Sequence, residues 1–387
     1  MTVIFLKSHT FLAREIPRAL RRLEGVRTIV AEVPKTPPSP TVGRIIEQLS
    51  PHLPALVVSV NDAGYDLEGR LSRLLLRKGC RIANWYTDEP FYEHLFAGRR
   101  FPDPGGRIDF ASEATFVPML RARGYRAHFL PLAVDPGIFN DTGTVALERD
   151  VAFVGNSSLA FMDSLVTDEL RAGLEACAEL MHEARQRYEA DPRTDLTAWL
   201  ENRREEWETT AAVAPERFLF IATWMIGYLY RRDLVAAVAR RYGSRFTCFG
   251  DGYWGRFIDE AQVSPDALYY ENLCRYYRST RVNLNINRIQ IRTSFTNRIF
   301  DCKACSAFLL TERRDLNNRF FRTREPGREL VEYSSTEECL DLIEFYLTHE
   351  QERTRIAGNG RDTVLRNHTY DIRMRSLIDT CRREWKV

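Results

Sequence analysis

The first third of the chain alternates short apolar runs with amphipathic segments, and this pattern limits the possible folds more than any other feature. Strands are predicted at Thr2–Leu6, Ala55–Val60 and Arg81–Tyr86. Between them, Phe11–Leu23 and Leu67–Lys78 carry apolar residues at helical spacing. Strands that alternate with helices indicate βαβ units around a parallel sheet. The strand runs are almost continuously apolar, which is typical of strands covered on both faces. We therefore predict a doubly wound α/β domain.

A connector at residues 133–145 divides the chain. Its sequence, AVDPGIFNDTGTV, is rich in turn-forming residues and marks a domain boundary. The strand pattern then resumes, with predicted strands at Asp150–Val154, Phe246–Phe249, Val282–Ile286, Phe308–Thr311 and Leu330–Tyr333. A charge-rich helical insertion at residues 160–240 interrupts this second unit. We predict an α/β fold of two doubly wound, Rossmann-like domains facing a cleft, at residues 1–140 and 141–370, with a final helix at 371–387.

Composition excludes several classes of protein. The 387 residues include 55 Lys and Arg against 53 Asp and Glu, a net charge of +2 that gives no reason to expect a nucleic acid or a membrane surface as partner. The longest apolar run, residues 218–230, is too short for a membrane span, so we predict a buried core helix and no integral membrane segment. The N-terminus reads as a first strand instead of a signal peptide, so a cytoplasmic location is expected.

The eight cysteines are scattered and show no disulfide framework. Cys302 and Cys305 form the one CxxC pair, for which core packing, a redox pair and a metal site are the alternatives. A structural zinc needs about four ligands, and no second CxxC or nearby His pair exists. We therefore expect core packing and no metal site.

Ligands of doubly wound sheets bind beyond the carboxyl ends of the strands, so the candidate residues lie in the loops there. Gly155, Asn156 and Ser157 follow one predicted strand, and Gly250 and Asp251 follow another. A glycine lets backbone approach a ligand, and the following N–H groups can hold an anion. The alternative is a plain turn with a serine N-cap.

Three asparagines recur at every second position of a predicted strand. Asn283, Asn285 and Asn287 share one face and are followed by Arg288. Buried amides are costly unless they are hydrogen-bonded, and a polar ligand would satisfy them. The alternative is a hydrogen-bonded strand end.

A helix predicted at Ser294–Cys305 carries a second polar group. Asn297 and Asp301 lie four positions apart, and Arg298 lies three before Asp301. Arg298 is a candidate phosphate clamp and Asp301 a candidate acceptor from sugar hydroxyls. The alternative is a local ion pair between Arg298 and Asp301.

One candidate lies in the first domain. Asp88 follows the strand at Arg81–Tyr86 and can serve as a general base on an acceptor hydroxyl. The alternative is that Asp88 caps the helix that follows.

These residues resemble the CgeB-like glycosyltransferases, which are similar to the two-domain GT-B superfamily. The resemblance is strongest over Tyr269–Leu377, where NLNIN, SFTNRIFDCKACSAFLLTE and ELVEYSSTEECLDLIEFYL follow the family's order. Upstream, WYTDEP, IDFASE, GYRAHFLPLAVDPGIF and DVAFVGNSS also match. Arg298, Phe300 and Asp301 take the places of the family's R-x-F-E helix, although the usual last residue is Glu. Thr293 stands where the first Glu of an E-x7-E pair would fall, which leaves retaining or inverting stereochemistry open.

The resemblance implies sugar transfer from a nucleotide-sugar donor, with UDP, GDP and dTDP not distinguishable. It implies that the second domain binds the nucleotide, that the first binds the acceptor, and that the last helix returns to the first domain. It also implies that Asp301 accepts from the ribose hydroxyls.

The leading hypothesis is a metal-independent glycosyltransferase that needs no cofactor, in which Arg298, Arg288 and N–H groups near Gly155 stabilise the leaving diphosphate and Asp88 is the base. A catalytically decayed sugar-nucleotide-binding or scaffold protein is the alternative. A nucleotide-sugar epimerase is a third possibility, and the acceptor and oligomeric state stay open.

Overall fold

The computed structural model describes residues 1–8, 11–96, 98–210, 213–265, 270 and 272–385. Two compact units result: unit 1 comprises Met1–Asp135 with Asn367–Val387, and unit 2 comprises Pro136–Arg366. The last helix thus groups with the first 135 residues. Tyr269, the first residue of the segment Tyr269–Leu377 in which the family resemblance is strongest, lies outside the described residues.

Unit 1 is built on a parallel sheet whose described strands run in the order β2-β1-β3-β4-β5-β6. The strands are β1 Thr2–Lys7, β2 Arg27–Glu32, β3 Leu56–Val60, β4 Arg81–Tyr86, β5 Arg107–Ala111 and β6 Ala127–Phe129. The helices are α1 Glu15–Arg21, α2 Val42–Leu49, α3 Arg70–Arg77, α4 Tyr92–Phe96, α5 Phe116–Ala122 and, from the chain's end, α16 Tyr370–Trp385. Ion pairs of Arg22 with Asp135 and Asp371 fasten the start of α16 beside α1.

Unit 2 repeats the architecture, with described parallel strands in the order β12-β11-β10-β7-β8-β9. The strands are β7 Arg149–Val154, β8 Phe246–Phe249, β9 Val263–Ser264, β10 Thr280–Asn285, β11 Leu309–Glu312 and β12 Val331–Tyr333. The helices are α6 Leu159–Leu165, α7 Asp168–Ala176, α8 Ala178–Ala190, α9 Leu196–Glu201, α10 Pro215–Tyr242, α11 Leu273–Arg278, α12 Asn297–Ala304, α13 Asn317–Phe320, α14 Thr336–Thr348 and α15 Glu350–Asn367.

Burial follows from the sequence pattern. Every residue of β3 is buried, and Leu71 and Leu75 of α3 pack into the same core as Val57 and Ile82. Each such aliphatic side chain contributes about 1.5–3 kcal/mol when it is fully buried. The prediction of two doubly wound parallel domains is confirmed.

Several local predictions needed adjustment. The helix predicted from Phe11 begins at Glu15, because Leu12 has a left-handed φ of 66° that interrupts any helix before it. The helical insertion predicted at residues 160–240 consists of α6–α10 with connecting turns. The apolar run at residues 218–230 lies in α10 and is largely buried, as predicted. None of the described helices is both long and apolar enough to cross a membrane.

Candidate functional site

The carboxyl ends of three neighbouring strands of unit 2 carry most of the predicted site. In the order β10-β7-β8, Asn285 ends β10, Gly155 follows β7 and Gly250 follows β8. Since the strands are parallel, these ends meet at one edge of the sheet. The helix α12, which carries Arg298, begins after the loop that leaves β10.

Three arginines, Arg231, Arg288 and Arg298, cluster beyond the end of β7, and Arg231 and Arg298 lie beside Gly155. We call this group the arginine cluster. The Cβ position of Gly155 would lie 2.2 Å from Nη2 of Arg231 and 3.3 Å from Nη2 of Arg298. The guanidinium carbons of the same two arginines lie 5.0 and 5.7 Å from the ring centre of Phe153 in β7. Arg288 and Arg231 line one pocket together with Ser157. A side chain at 155 would therefore displace the guanidinium of Arg231.

None of the three cations forms an ion pair among the described residues, and Arg288 is exposed to solvent. Within the described part of the chain, Arg231 and Arg288 have no hydrogen-bonding or ion-pairing partner for their guanidinium groups, and Arg298 donates from Nη1 to Oδ1 of Asn285. Arg231 is only 5% exposed, and burial together with the charges of Arg298 and Arg288 lowers its pKa to about 9. Burial, with Arg288 adding to it, also lowers the pKa of Arg298. An anion bound among them would reverse this penalty.

The loop after β7 uses its polar groups internally. The Gly155 N–H donates to the carbonyl of Phe249 at 2.8 Å, and the Ser157 N–H donates to Oδ2 of Asp251 at 3.0 Å. These two N–H groups are therefore satisfied within the protein, and anion binding by the other groups of the loop stays a prediction. Asp251 supports the loop instead of facing a ligand with that oxygen. Asn156 is exposed at the tip of the loop.

Close packing also explains the glycine at position 250. Its Cβ position would lie 2.4 Å from the carbonyl oxygen of Gly155. Trp254 donates from Nε1 to the same oxygen at 2.8 Å. Gly250 therefore lets the loops after β7 and β8 approach each other closely, which holds Gly155 beside the arginines.

The three asparagines do not act as one face. Asn283 donates from Nδ2 to the carbonyls of Tyr277 and Phe308, so it is the hydrogen-bonded core residue of the alternative interpretation. Asn285 donates to Oδ1 of Asn287 and Oγ1 of Thr311, while its own Oδ1 accepts from Arg298.

Asn285 thus positions Arg298 and has no donor left for a ligand. Asn287 is buried beyond the end of β10, where its backbone N–H donates to Oε2 of Glu312 at 2.7 Å. Its Nδ2 is a buried atom with no hydrogen-bond partner among the described residues.

Asn297 and Asp301 meet on α12 as the spacing predicts. Nδ2 of Asn297 donates to Oδ2 of Asp301 at 2.7 Å. Asp301 is 2% exposed, whereas Asn297 is partly exposed. The hydrogen bond of Arg298 goes to Asn285, so the local ion pair with Asp301 is not what orients Arg298.

Asp88 belongs to unit 1 and is exposed. Asn61, after β3, holds it: Nδ2 donates to Oδ2 of Asp88 at 2.9 Å, and Oδ1 accepts from the backbone N–H groups of Thr87 and Asp88. The next helix, α4, begins at Tyr92, so Asp88 is not its cap. The capping alternative is therefore not supported.

Two of these residues escaped the sequence analysis. Arg231 directly follows the apolar run at residues 218–230, yet it lies in the middle of α10 and is buried. An arginine between the apolar segments FLFIATWMIGYLY and LVAAV was the available signal. Asn61 has a left-handed φ of 52°, which asparagine tolerates better than most residues.

The described residues contain no group of three or more His, Cys, Asp or Glu side chains arranged to hold a metal ion. Cys302 donates to the carbonyl of Ala307, whereas Cys305 donates to Cys274, so the CxxC cysteines do not pair with each other.

Comparison with known proteins agrees with this architecture. A family model described as glycosyl transferase-like matches residues 231–379, a span that includes the arginine cluster. Sucrose-phosphate synthase from Thermosynechococcus elongatus superposes with a TM-score of 0.50 at 12% identity, over 100% of this chain and 99% of that chain. Anabaena HepE in complex with UDP and glucose superposes with a TM-score of 0.51 at 11% identity, over 98% of this chain and 99% of that chain.

A search of curated proteins finds no match. At such identities the structural likeness establishes the fold, which is the two-domain GT-B fold of glycosyltransferases. The CgeB-like subtype stays a prediction.

Proposed function

We propose that this GT-B chain transfers a glycosyl group from a nucleoside-diphosphate sugar to an acceptor hydroxyl. The observation that carries the proposal is the arginine cluster at the strand ends of unit 2, where Arg231 is buried without a carboxylate partner in the described residues. Natural proteins almost never bury a charge without compensation, so a cluster of this kind is suited to an anion from outside the chain.

The anion that fits the proposal is a diphosphate. Guanidinium groups bind phosphate oxygens through charge-assisted and often bidentate hydrogen bonds. The three groups of the arginine cluster would compensate the charge that develops on the leaving diphosphate as the glycosidic bond breaks. Fixed cations in a partly buried site act without reorganisation, and this is the electrostatic term that usually dominates catalysis. We propose that the arginines do this without a metal ion.

The remaining roles are assigned by chemistry. Asn297 and Asp301, joined on the first two turns of α12, are proposed to bind the ribose hydroxyls of the donor. Asp88 is proposed as the base that takes the acceptor proton, because it is an exposed carboxylate at the end of a parallel strand and is held by Asn61. The complex of HepE with UDP and glucose makes UDP-sugars the first donors to test.

The test is release of nucleoside diphosphate from UDP-, GDP- and dTDP-sugars with a panel of acceptors. Arg298→Ala should lower kcat/KM at limiting donor by roughly 10- to 100-fold, the value of a charge-assisted hydrogen bond of about 1.5–3 kcal/mol. Arg232→Met is the matched control, because Arg232 neighbours Arg231 in α10 but pairs with Asp233. Wild-type rates in Arg298→Ala would refute the phosphate assignment.

The same panel distinguishes an enzyme from a catalytically decayed sugar-nucleotide-binding protein. The second possibility is considered because Asp301 stands where the family usually has Glu. Binding of a nucleoside diphosphate without turnover on any acceptor would favour the binding protein. Turnover that falls in Asp88→Asn while nucleotide binding is unchanged would favour the enzyme.

A further inference from the structure

Cys274 and Cys305 lie against each other in unit 2, and neither is among the residues assigned to the donor. Cys274 is in α11, and Cys305 follows the last residue of α12. Their sulfur atoms are 3.1 Å apart, with the thiol of Cys305 donating to Cys274. The two are 31 positions apart in sequence, so the contact joins two separate helices.

The two sulfurs differ in exposure. Cys274 is partly exposed and is the one described cysteine that is not buried, whereas Cys305 is 1% exposed. The hydrogen bond from Cys305 lowers the pKa of Cys274 to about 6 despite partial burial, and the hydrogen bond between Cys274 and the carbonyl of Asn140, together with Arg278, adds to this. Burial raises the pKa of Cys305 well above its ordinary value.

This division of properties matches that of a reactive cysteine and a resolving cysteine. An oxidant reaches the thiolate that is accessible and of low pKa, and a second thiol must then lie next to the oxidised sulfur. Cys302, the other member of the CxxC pair, lies fully buried with its thiol directed to the carbonyl of Ala307.

We propose that Cys274 and Cys305 form an oxidation site that a peroxide converts to a disulfide. The Cys274 thiolate attacks hydrogen peroxide, and with one proton taken up this gives the sulfenic acid and water. The sulfur of Cys305 then attacks the sulfenic sulfur, and the hydroxyl leaves with the Cys305 proton as a second water. The two thiols together lose two electrons, which the peroxide gains.

The disulfide would bind α11 covalently to the end of α12. Tyr277 of α11 is buried, and its electrostatic environment includes both Arg298 and Asp301 of α12. The consequence is that α11 and the helix carrying Arg298 become one cross-linked element. The proposal rests on the thiol geometry and does not depend on the proposed transferase activity.

The experiment treats the native full-length protein with hydrogen peroxide in slight excess, blocks remaining thiols with N-ethylmaleimide after denaturation, and maps the unreduced peptides by mass spectrometry. We expect a Cys274–Cys305 peptide that dithiothreitol abolishes, with buried Cys248 and Cys381 still alkylated. Cys302→Ala should give the same product, which makes it the control for the CxxC alternative.

Cys305→Ala should stop the process one step earlier, leaving a sulfenic acid at Cys274 that dimedone labels. A circular dichroism melt establishes that this variant is folded, and the wild-type map requires no variant at all. Alkylation of both Cys274 and Cys305 in peroxide-treated protein, or a Cys302–Cys305 peptide in their place, would overturn the proposal.

Discussion

Arg107 in unit 1 and Arg231 in unit 2 are both buried, at 1% and 5% exposure, but their surroundings differ in sign of charge. Arg107 pairs with Asp62 at 2.7 Å and with Asp109 at 2.6 Å. Burial opposes its charge, yet Asp109 and Asp62 hold the pKa of Arg107 well above its ordinary value. Arg231 faces two other arginines, and its pKa falls to about 9.

The difference separates a structural arginine from one available to a ligand. At Arg107 the compensating charges belong to the fold, so the network is complete in the free protein. At Arg231 no carboxylate among the described residues forms an ion pair, and Glu312 offsets only part of the effect of burial and of the charges of Arg298 and Arg288, so the free protein carries a cost that a bound anion would remove. Buried ion pairs are costly to break, whereas an unpaired buried charge is costly to keep.

The largest effect is expected from breaking the paired arginine. Arg107→Met leaves Asp62 and Asp109 buried without their cation, and we expect a loss of about 3–5 kcal/mol in the free energy of unfolding. Urea unfolding of the full-length protein measures this loss. Arg77→Met, on the exposed face of α3, is the control and should stay within about 0.5 kcal/mol of wild type. Equal effects of the two changes would mean that buried Arg107 contributes no more to stability than exposed Arg77 does.

Replacement of Arg231 is expected to change the free energy of unfolding in the opposite direction. Arg231→Met removes an uncompensated buried charge and should raise the free energy of unfolding of the nucleotide-free protein by roughly 0.5–2 kcal/mol, as replacements of strained functional residues often do. The pKa of Arg231 is lower in the folded protein than in the unfolded chain. The destabilisation caused by its buried charge is therefore fully present below about pH 9 and decreases as the pH rises above this value.

The gain in Arg231→Met over wild type should therefore shrink in alkaline buffer. Thermal melts across pH 7 to 10 follow it. A variant that is less stable than wild type near neutral pH would mean that Arg231 is compensated in the free protein.

The smallest effect is expected at Gly155. Gly155→Ala places a methyl group where Nη2 of Arg231 lies, so the guanidinium must move and nucleotide affinity should fall about three- to tenfold, or about 0.7–1.4 kcal/mol. Gly252→Ala is the control, since a Cβ there meets no atom within 4 Å. Calorimetric titration with UDP compares them, and equal affinities would mean that Gly155 is not required beside the arginines.

The contrast between the two arginines also shows what the sequence can predict. Strand and helix order followed from periodicity, and β4 and β8 have the predicted bounds. The short elements β9, α4, α11 and α13 were not predicted, because two to six residues carry too little periodicity to be distinguished.

The candidate site was predictable only where residues are close in sequence. Arg288, Arg298 and the Asn297–Asp301 pair were found from loops and helix spacing. The sequence did not reveal Arg231 as a site residue. Its position beside Gly155 and near Arg298 depends on where α10 lies relative to the end of β7, and no local pattern contains this information. Likewise the partner of Cys305 is Cys274, 31 residues away, which no local spacing indicates.

The central claim is that the arginine cluster of unit 2 binds the diphosphate of a nucleotide-sugar donor. Isothermal titration calorimetry of UDP, GDP and dTDP against wild type, Arg231→Met and Arg232→Met tests it most directly. We expect at least one diphosphate to bind wild type and Arg232→Met alike, about tenfold or more weakly to Arg231→Met, and more weakly to wild type as pH rises through about 9. Equal affinity of Arg231→Met and wild type, or no binding of any diphosphate to wild type, would contradict the account.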